Sequence, residues 1–267
     1  MPSAHEIDYE IYGEEMQFVE IELDPRETVV AEAGSFMMMD DGIEMATIFG
    51  DGSTSGGSGL FGKLLGGAQR LITGESLFMT AYTHGGNGKA KVSFASPYPG
   101  KIIALDLEKY GGKIVCQKDA FLCAAKGVSV GVEFSRKLGR GLFGGEGFIM
   151  QKLEGDGMAF CHAGGHVVEK VLTPGETLRI DTGCLVAYSK GVSYDIEMVP
   201  GIRNKFFGGE GFFFARLRGP GRVWIQSLPF ARLASRVLQN ARSTTGKGKG
   251  EGSVLGQLGN MLDGDGF

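Results

Sequence analysis

The stretch Phe143-Gly144-Gly145-Glu146-Gly147-Phe148 occurs twice in this chain, returning 64 positions later as Phe207-Gly208-Gly209-Glu210-Gly211-Phe212. A second match keeps the same offset, because Lys126-Gly127-Val128-Ser129 returns as Lys190-Gly191-Val192-Ser193. A fixed period of this length is typical of a chain built from repeated supersecondary units. The hexapeptide therefore indicates how the fold is built before it indicates any activity.

A weaker first copy precedes these two. A shift of 85 positions places Ser35-Phe36-Met37 on Ala120-Phe121-Leu122, and Gly74-Glu75 corresponds to Gly145-Glu146. The first copy carries an insertion over residues 46–73, which begins with a run rich in glycine and serine. The sequence thus predicts three internal repeats of about 64 residues, at about 21–98, 101–163 and 164–228.

The composition favours an all-β fold. Glycine accounts for 46 of 267 residues, more than twice its usual share of about 7%. Short runs such as Lys89–Phe94 alternate apolar and polar residues, as half-buried strands do. We expect one all-β domain over residues 5–228, in which the three repeats form a sandwich or barrel. Over residues 229–267 we expect a C-terminal helix and a flexible glycine-rich tail. The helix is predicted from the i, i+3, i+4, i+7 spacing of Ala231, Leu233, Ala234, Val237 and Leu238.

The charges are unevenly distributed, although the net charge is only −4. Residues 1–50 contain thirteen acidic side chains and one basic one, whereas residues 201–250 contain ten basic and one acidic. Such a chain can pair its two ends within the fold or with a neighbouring copy, which favours a homo-oligomer. The acidic balance argues against a general nucleic-acid binder.

No segment predicts export or membrane insertion. The N-terminus lacks the basic start and apolar run of a signal peptide, and no apolar run approaches the length of a membrane span. The four cysteines, Cys116, Cys123, Cys161 and Cys184, lack the spacing of a disulfide or CxxC motif, so they indicate a cytoplasmic protein with buried thiols. The glycine- and leucine-containing segments 60–72 and 254–262 are interpreted as contacts with a partner or another copy, and peripheral membrane contact stays open.

Three glutamates, Glu75, Glu146 and Glu210, occupy the same position in the three repeats. They are candidate structural corners, in which a carboxylate accepts backbone N–H groups of a glycine-rich turn. The alternative is a ring of carboxylates that binds a cation. Recurrence with the repeat favours the corner.

No other motif predicts catalysis, a metal or a cofactor. The glycine-rich hexapeptides lack the Gly-Lys-Ser/Thr of a phosphate loop. Cys161, His162 and His166 resemble metal ligands, but they lie in a glycine-rich turn without a second Cys/His pair nearby. Cys161 and His162 are adjacent, so in a strand they point to opposite faces and cannot act as a nucleophile pair.

A candidate basic surface comprises Arg216, Arg218 and Arg222, close in sequence to Phe212–Phe214 and Trp224. Cations mixed with aromatic rings are typical of surfaces that bind single-stranded nucleic acid. An RNA- or anion-binding module is therefore an alternative function. A buried strand followed by a basic turn gives the same pattern.

The motifs together resemble a known family. They are Gly74-Glu75-Ser76-Leu77-Phe78, the paired Phe-Gly-Gly-Glu-Gly-Phe, Asp181-Thr182-Gly183-Cys184-Leu185-Val186-Ala187 and Gln226-Ser227-Leu228-Pro229. The combination resembles the bacterial family related to altered-inheritance-of-mitochondria protein 24, over nearly the whole chain. The resemblance implies a double-stranded β-helix similar to the tryptophan RNA-binding attenuation protein (TRAP-like), with threefold internal symmetry and no established catalytic residues or cofactor. In mitochondrial relatives it implies a part in inner-membrane organisation and respiratory assembly. We expect no transit peptide in this chain, so that role does not carry over directly.

The function predicted from the sequence is a non-enzymatic scaffold or binding protein that acts as a homo-oligomer. RNA or anion binding by fold analogy is the alternative. An enzyme is third, because it needs a deep pocket with convergent polar groups that no motif predicts.

Overall fold

The fold is described by a computed structural model, which covers residues 4–49, 78–136, 148–203 and 211–244. The chain divides into two compact units, Met1–Pro229 and Phe230–Phe267. Within the described residues, the first consists of antiparallel strands and a few short 3₁₀ turns, and the second contains one short helix. The predicted all-β class with a short C-terminal helix is confirmed.

The described residues of the first half of the β unit form ten strands. They are β1 (Asp8–Tyr12), β2 (Phe18–Leu23), β3 (Thr28–Glu32), β4 (Phe36–Met39), β5 (Ile43–Phe49), β6 (Phe78–His84), β7 (Ala90–Ala95), β8 (Gly100–Asp106), β9 (Lys113–Gln117) and β10 (Phe121–Ala125).

The second half continues with nine more strands. They are β11 (Ser129–Arg136), β12 (Phe148–Glu154), β13 (Met158–Gly164), β14 (Val167–Leu172), β15 (Thr177–Asp181), β16 (Leu185–Ser189), β17 (Ser193–Arg203), β18 (Gly211–Arg218) and β19 (Gly221–Gln226). Single 3₁₀ turns at Glu108–Tyr110, Lys118–Ala120 and Thr182–Cys184 connect neighbouring strands.

The described strands form four antiparallel sheets, here called A to D. Sheet A has the order β1-β2-β7-β4, and sheet B the order β5-β6-β3-β10-β13-β8. Sheet C has the order β11-β12-β9-β16-β19-β14, and sheet D the order β15-β18-β17. Strands from distant parts of the sequence are therefore neighbours at the centre of each six-stranded sheet.

Three hydrophobic cores pack the sheets in the order A, B, C, D. Phe94 of sheet A and Phe160 of sheet B belong to the first core. Leu105 of sheet B and Trp224 of sheet C belong to the second, and Met150 of sheet C and Leu217 of sheet D to the third. Sheets B and C are thus covered on both faces, whereas A and D are the outer layers.

Side-chain patterns explain these positions. In β2, Val19, Ile21 and Leu23 are buried and alternate with more exposed residues, as expected for a strand with one face toward a core. All five residues of β10 and all five of β16 are buried, because these strands lie between two cores.

Glycine turns explain the repeated Lys-Gly-Val-Ser tetrapeptide. Gly127 and Gly191 follow β10 and β16 with φ angles of 108° and 100°. Gly42 follows β4 with a φ of 89°. Residues with a Cβ atom rarely adopt these positive angles, so the tight turn requires glycine at all three places.

The second unit contains α1 (Phe230–Thr244). Its apolar residues recur at helical spacing, and Phe230, Val237 and Leu238 are exposed. Ser235 Oγ donates a hydrogen bond to the carbonyl oxygen of Ala231 at 2.7 Å. No helix within the described ranges is both long and apolar enough to cross a membrane.

Candidate functional site

The repeated glutamates Glu75, Glu146 and Glu210 lie outside the described residues, as do segments 60–72 and 254–262. Their interpretation as structural corners, as cation ligands or as partner contacts therefore stays a prediction.

The three arginines of the candidate basic surface are divided between two sheets. Arg216 and Arg218 lie on β18 in sheet D, whereas Arg222 lies on β19 in sheet C. Arg222 forms an ion pair with Glu169 of the neighbouring strand β14.

Arg216 belongs to a charged network on sheet D. Its Nε lies 3.1 Å from Glu197 Oε1, and its Nη2 lies 3.5 Å from Asp195 Oδ2. Arg179 of β15 reaches the other oxygen of Glu197, with Nε 2.8 Å from Oε2. Because Arg216 and Arg222 already have carboxylate partners, an anionic ligand would have to compete with them.

The cysteine and histidine residues are placed in different environments. Cys161 is in the core between sheets B and C, and the adjacent His162 packs edge-on against the Tyr98 ring with centroids 4.4 Å apart. Burial lowers the pKa of His162 to about 4, so this imidazole is neutral near pH 7. His166 is exposed beyond the following turn. Within the described ranges, no three side chains of metal-binding type are grouped closely enough to hold an ion.

Two further thiols are shielded from solvent. A hydrogen bond with Cys161, together with burial, raises the pKa of Cys116 well above its ordinary value. Burial raises the pKa of Cys123 in the same way. A thiol that stays protonated is a poor nucleophile, so both behave as core residues.

Among the described acidic residues, the half-buried Glu32 at the end of β3 has a strongly raised pKa. Burial raises the pKa of Glu32 to about 7, and the nearby carboxylate of Asp119 adds to this rise while Lys118 opposes it. The corresponding positions in the later copies, at shifts of 85 and a further 64, are Gln117 and Asp181.

The most unusual surface is strand β4, whose residues Phe36, Met37, Met38 and Met39 are 39%, 48%, 45% and 38% exposed. Successive side chains of a strand point to opposite faces, so exposure of all four means that neither face is covered fully. The Phe36 ring stacks on Tyr82 with centroids 5.6 Å apart, which fixes one end of the strand. We call Phe36–Met39 the β4 edge.

The backbone of the β4 edge is also open on one side. β4 pairs with β7, and this pairing is supported by bonds from Asp40 N to Lys91 O and from Ala95 N to Ser35 O, at 2.8 and 2.9 Å. In the described part of the chain no strand pairs with its other side. Unpaired edges that carry no charge tend to attract another strand, and natural proteins usually protect them.

Strand β15 provides a second open edge at the far end of the stack. β15 pairs with β18 through Thr177–Asp181 and is one of the two edge strands of sheet D as described, the other being β17. Leu178 and Ile180 are half-buried against the core between sheets C and D, while Arg179 is exposed.

Sequence reasoning missed the β4 edge. Residues 35–43 correspond in sequence to residues 120–128, yet β10 in the second segment is wholly buried whereas β4 in the first is exposed. The available signal was the run of three methionines followed directly by Asp40 and Asp41.

The geometry defines a class of all-β proteins made of packed antiparallel sheets with an apolar open edge. A model of the family described as "Mitochondrial biogenesis AIM24" matches residues 9–228. The chain belongs to this family, which confirms the resemblance that its sequence motifs predicted.

Two relatives from Streptococcus pyogenes agree with this placement. An uncharacterized protein is 34% identical over 227 residues, which cover 83% of this chain and 86% of that protein. The X-ray crystal structure of a protein from the same species matches with a TM-score of 0.66 at 26% identity. That match covers 88% of this chain and 99% of the other, so the fold extends over almost the whole of the solved structure.

Proposed function

We propose that this protein is a non-enzymatic scaffold or binding protein that acts as a homo-oligomer. The observation that carries the proposal is the β4 edge, where four consecutive apolar side chains and one side of a strand are exposed. A soluble monomer rarely leaves such a strand open, because it pairs with any suitable chain that it meets.

We also propose that the β unit contains three copies of one six-stranded motif. The orders β5-β6-β3, β11-β12-β9 and β17-β18-β15 correspond strand by strand, as do β4-β7-β2, β10-β13-β8 and β16-β19-β14. Each motif would then be a sandwich shared between two successive sheets. This arrangement supports the double-stranded β-helix architecture with threefold repetition that the family resemblance implies.

Irregularities in the sheets support the same conclusion. A β-bulge falls between Phe36 and Met38 where β4 pairs with β7. Bulges also fall between Phe121 and Cys123 of β10 and between Leu185 and Ala187 of β16. Bulges are specific features of a fold, so their occurrence at corresponding positions favours a common motif.

The placement of the reactive groups supports a non-enzymatic role. Cys116 and Cys123 are buried thiols with raised pKa values, and His162 is buried in its neutral form. A general base or nucleophile must reach its substrate, which these three groups do not. None of the four cysteines forms a disulfide, which fits the expected cytoplasmic location.

The alternative of RNA or anion binding has weaker support. It relies on Arg216, Arg218 and Arg222, of which two are engaged with carboxylates on different sheets. If this alternative holds, binding of a single-stranded RNA should weaken with added salt and after charge reversal at Arg216 and Arg218.

Light scattering coupled to size-exclusion chromatography tests the scaffold proposal on the full chain. We expect a mass of at least two chains at micromolar concentration, unchanged by Arg216→Glu. A monomer over the whole concentration range would contradict the oligomer. Salt-sensitive RNA binding that Arg216→Glu abolishes would favour the alternative.

A further inference from the structure

Two strand pairings join successive motifs within the chain. β3 pairs with β10, placing Ala31 opposite Cys123 and Val30 opposite Ala124. β9 pairs with β16 in the same way, placing Cys116 opposite Ala187 and Val115 opposite Tyr188. The central residues of both junctions are buried, and Ala31, Cys123, Cys116 and Ala187 are all 0% exposed.

The two junctions have one register. A shift of 85 converts Ala31 to Cys116, and a shift of 64 converts Cys123 to Ala187, so the first pair becomes the second. A third junction would follow the same rule. A shift of 64 converts β9 to β15, and the strand that corresponds to β10 and β16 in the first motif is β4, so the rule pairs β15 with β4. It places Met38 opposite Ile180 and Met39 opposite Arg179.

This third junction is not made within the described structure. β4 lies at the edge of sheet A and β15 at the edge of sheet D, the two outer layers. None of the three cores joins A to D among the described residues. Each chain therefore presents one edge of each kind. Met38 and Met39 remain exposed where their counterparts Cys123 and Ala124 are covered completely.

We propose that β15 of one copy pairs antiparallel with β4 of a second copy, in the register that the internal junctions define. The pairing rests on the homo-oligomer proposed above and names its interface. It would join the four strands of sheet A to the three strands of sheet D from the other chain as one seven-stranded sheet. The backbone groups on the open side of the β4 edge would then be paired.

The chemistry of the third junction suits contact between separate chains. Met38 and Ile180 form an apolar cross-strand pair. Arg179 takes the place that buried Val30 and Val115 hold in the internal junctions, which makes this junction more polar. Asp41 would lie opposite Thr177, diagonal to Arg179, at a separation that a guanidinium group can span.

Disulfide trapping between two singly substituted proteins tests the register directly. Met38→Cys with an affinity tag is mixed with untagged Ile180→Cys, oxidised, and analysed on non-reducing gels. A link between a tagged and an untagged chain can form only between copies. We expect this heterodimer as the main product, because opposed Cβ atoms fall within disulfide reach.

Met45→Cys mixed with Ile180→Cys is the matched control, since Met45 is also exposed but lies on β5 in sheet B. It should link no more than the unsubstituted protein, whose native cysteines set the background. A mixed pair that links no better than this control overturns the proposed interface. If the unsubstituted protein is an oligomer in that case, the scaffold proposal stands and only the interface fails.

The doubly substituted chain, Met38→Cys with Ile180→Cys, tests whether β4 and β15 of the same chain pair with each other. A fast-migrating linked monomer, together with no link in the mixing experiment, would show that both edges belong to the same molecule and would overturn pairing between copies. Linked multimers agree with the proposal.

Charge substitutions at Met39 provide an independent measurement that requires no crosslink. Met39→Lys would face Arg179 and should weaken self-association about tenfold or more, since like charges would be opposed at a covered position. Met39→Glu should bind within about threefold of the unsubstituted protein, because Arg179 can share its charge between this carboxylate and Glu197. Met45→Lys should have no effect. Equal losses for lysine and glutamate at position 39 would contradict the Met39–Arg179 register.

Discussion

At the scale of single residues, Glu32 is an acidic side chain in a half-buried position of sheet B. Its carboxylate lies at the end of β3, and its pKa is raised to about 7. The predicted repeat places the neutral Gln117, the last residue of β9, at the corresponding position. A group whose pKa is raised on folding contributes stability below its unfolded value, and that stability is lost as the pH rises through the folded value.

We therefore predict that Glu32→Gln stabilises the protein at pH 8, by about 1–3 kcal/mol, and has little effect near pH 4.5. The physical reason is that the variant no longer has to bury a charge. Urea unfolding at the two pH values measures the difference. Glu44→Gln, on an exposed position of β5, is the matched control and should change neither value. An equal effect of Glu32→Gln at both pH values would contradict the raised pKa.

At the scale of elements, strand β13 ends at a place where only glycine fits. A Cβ atom on Gly164 would lie 2.0 Å from the carbonyl oxygen of Leu228 and 2.9 Å from the Tyr98 ring. The Gly164 N–H also donates to Gln226 Oε1 at 2.8 Å, so the strand cannot shift without losing that bond. The close approach joins β13 in sheet B to the chain that follows β19 in sheet C.

We predict that Gly164→Ala lowers the free energy of unfolding by about 2–4 kcal/mol, since backbone atoms on the other side must move. Gly131→Ala is the control, because its Cβ would meet only the flexible Lys152 side chain at 3.3 Å. We expect that variant to lie within about 1 kcal/mol of the unsubstituted protein. Denaturant titrations measure the free energy of unfolding of both variants. A loss for Gly131→Ala as large as that for Gly164→Ala would refute the steric explanation.

Many elements could be predicted from the sequence, because strands and turns are encoded locally. In β2 the apolar residues alternate with polar ones, and in α1 they recur at helical spacing. Both patterns can be read from the sequence alone because their periods are those of a strand and a helix. The open side of the β4 edge could not be predicted, because pairing partners come from distant segments, and the three methionines before Asp40 do not show which strand stays unpaired.

At the scale of the whole molecule, the three cores define what the β unit needs in order to fold. Among the described residues, every member of these cores precedes Phe230. We predict that a chain truncated after Pro229 still unfolds cooperatively, with a midpoint within about 3 °C of the full chain.

Thermal unfolding followed by circular dichroism measures this midpoint. A chain truncated after Arg218 is the control, because it lacks β19 and with it Trp224 from the core between sheets B and C. That shorter chain should lose its cooperative transition. A large fall in the midpoint for the first truncation would mean that residues 230–267 stabilise the β unit.

The candidate site was harder to predict from the sequence than the fold was. Arg216 and Arg222 are six positions apart, yet strand order places them on different sheets with their own carboxylates. Proximity in sequence therefore did not place the two arginines on one sheet. The charge asymmetry between the two ends of the chain was visible, but which groups pair depends on sheet order and not on composition.

Pairing between two different edges, β4 and β15, would give the proposed assembly a direction. A contact that uses β4 on one molecule and β15 on the next is head-to-tail, so it either returns to its starting molecule as a ring or continues as a filament. Which of the two occurs depends on the rotation from one copy to the next and not on the strength of the contact. A mass that stays at one multiple as concentration rises would indicate a ring, and a mass that keeps growing would indicate a polymer whose length the cell must limit.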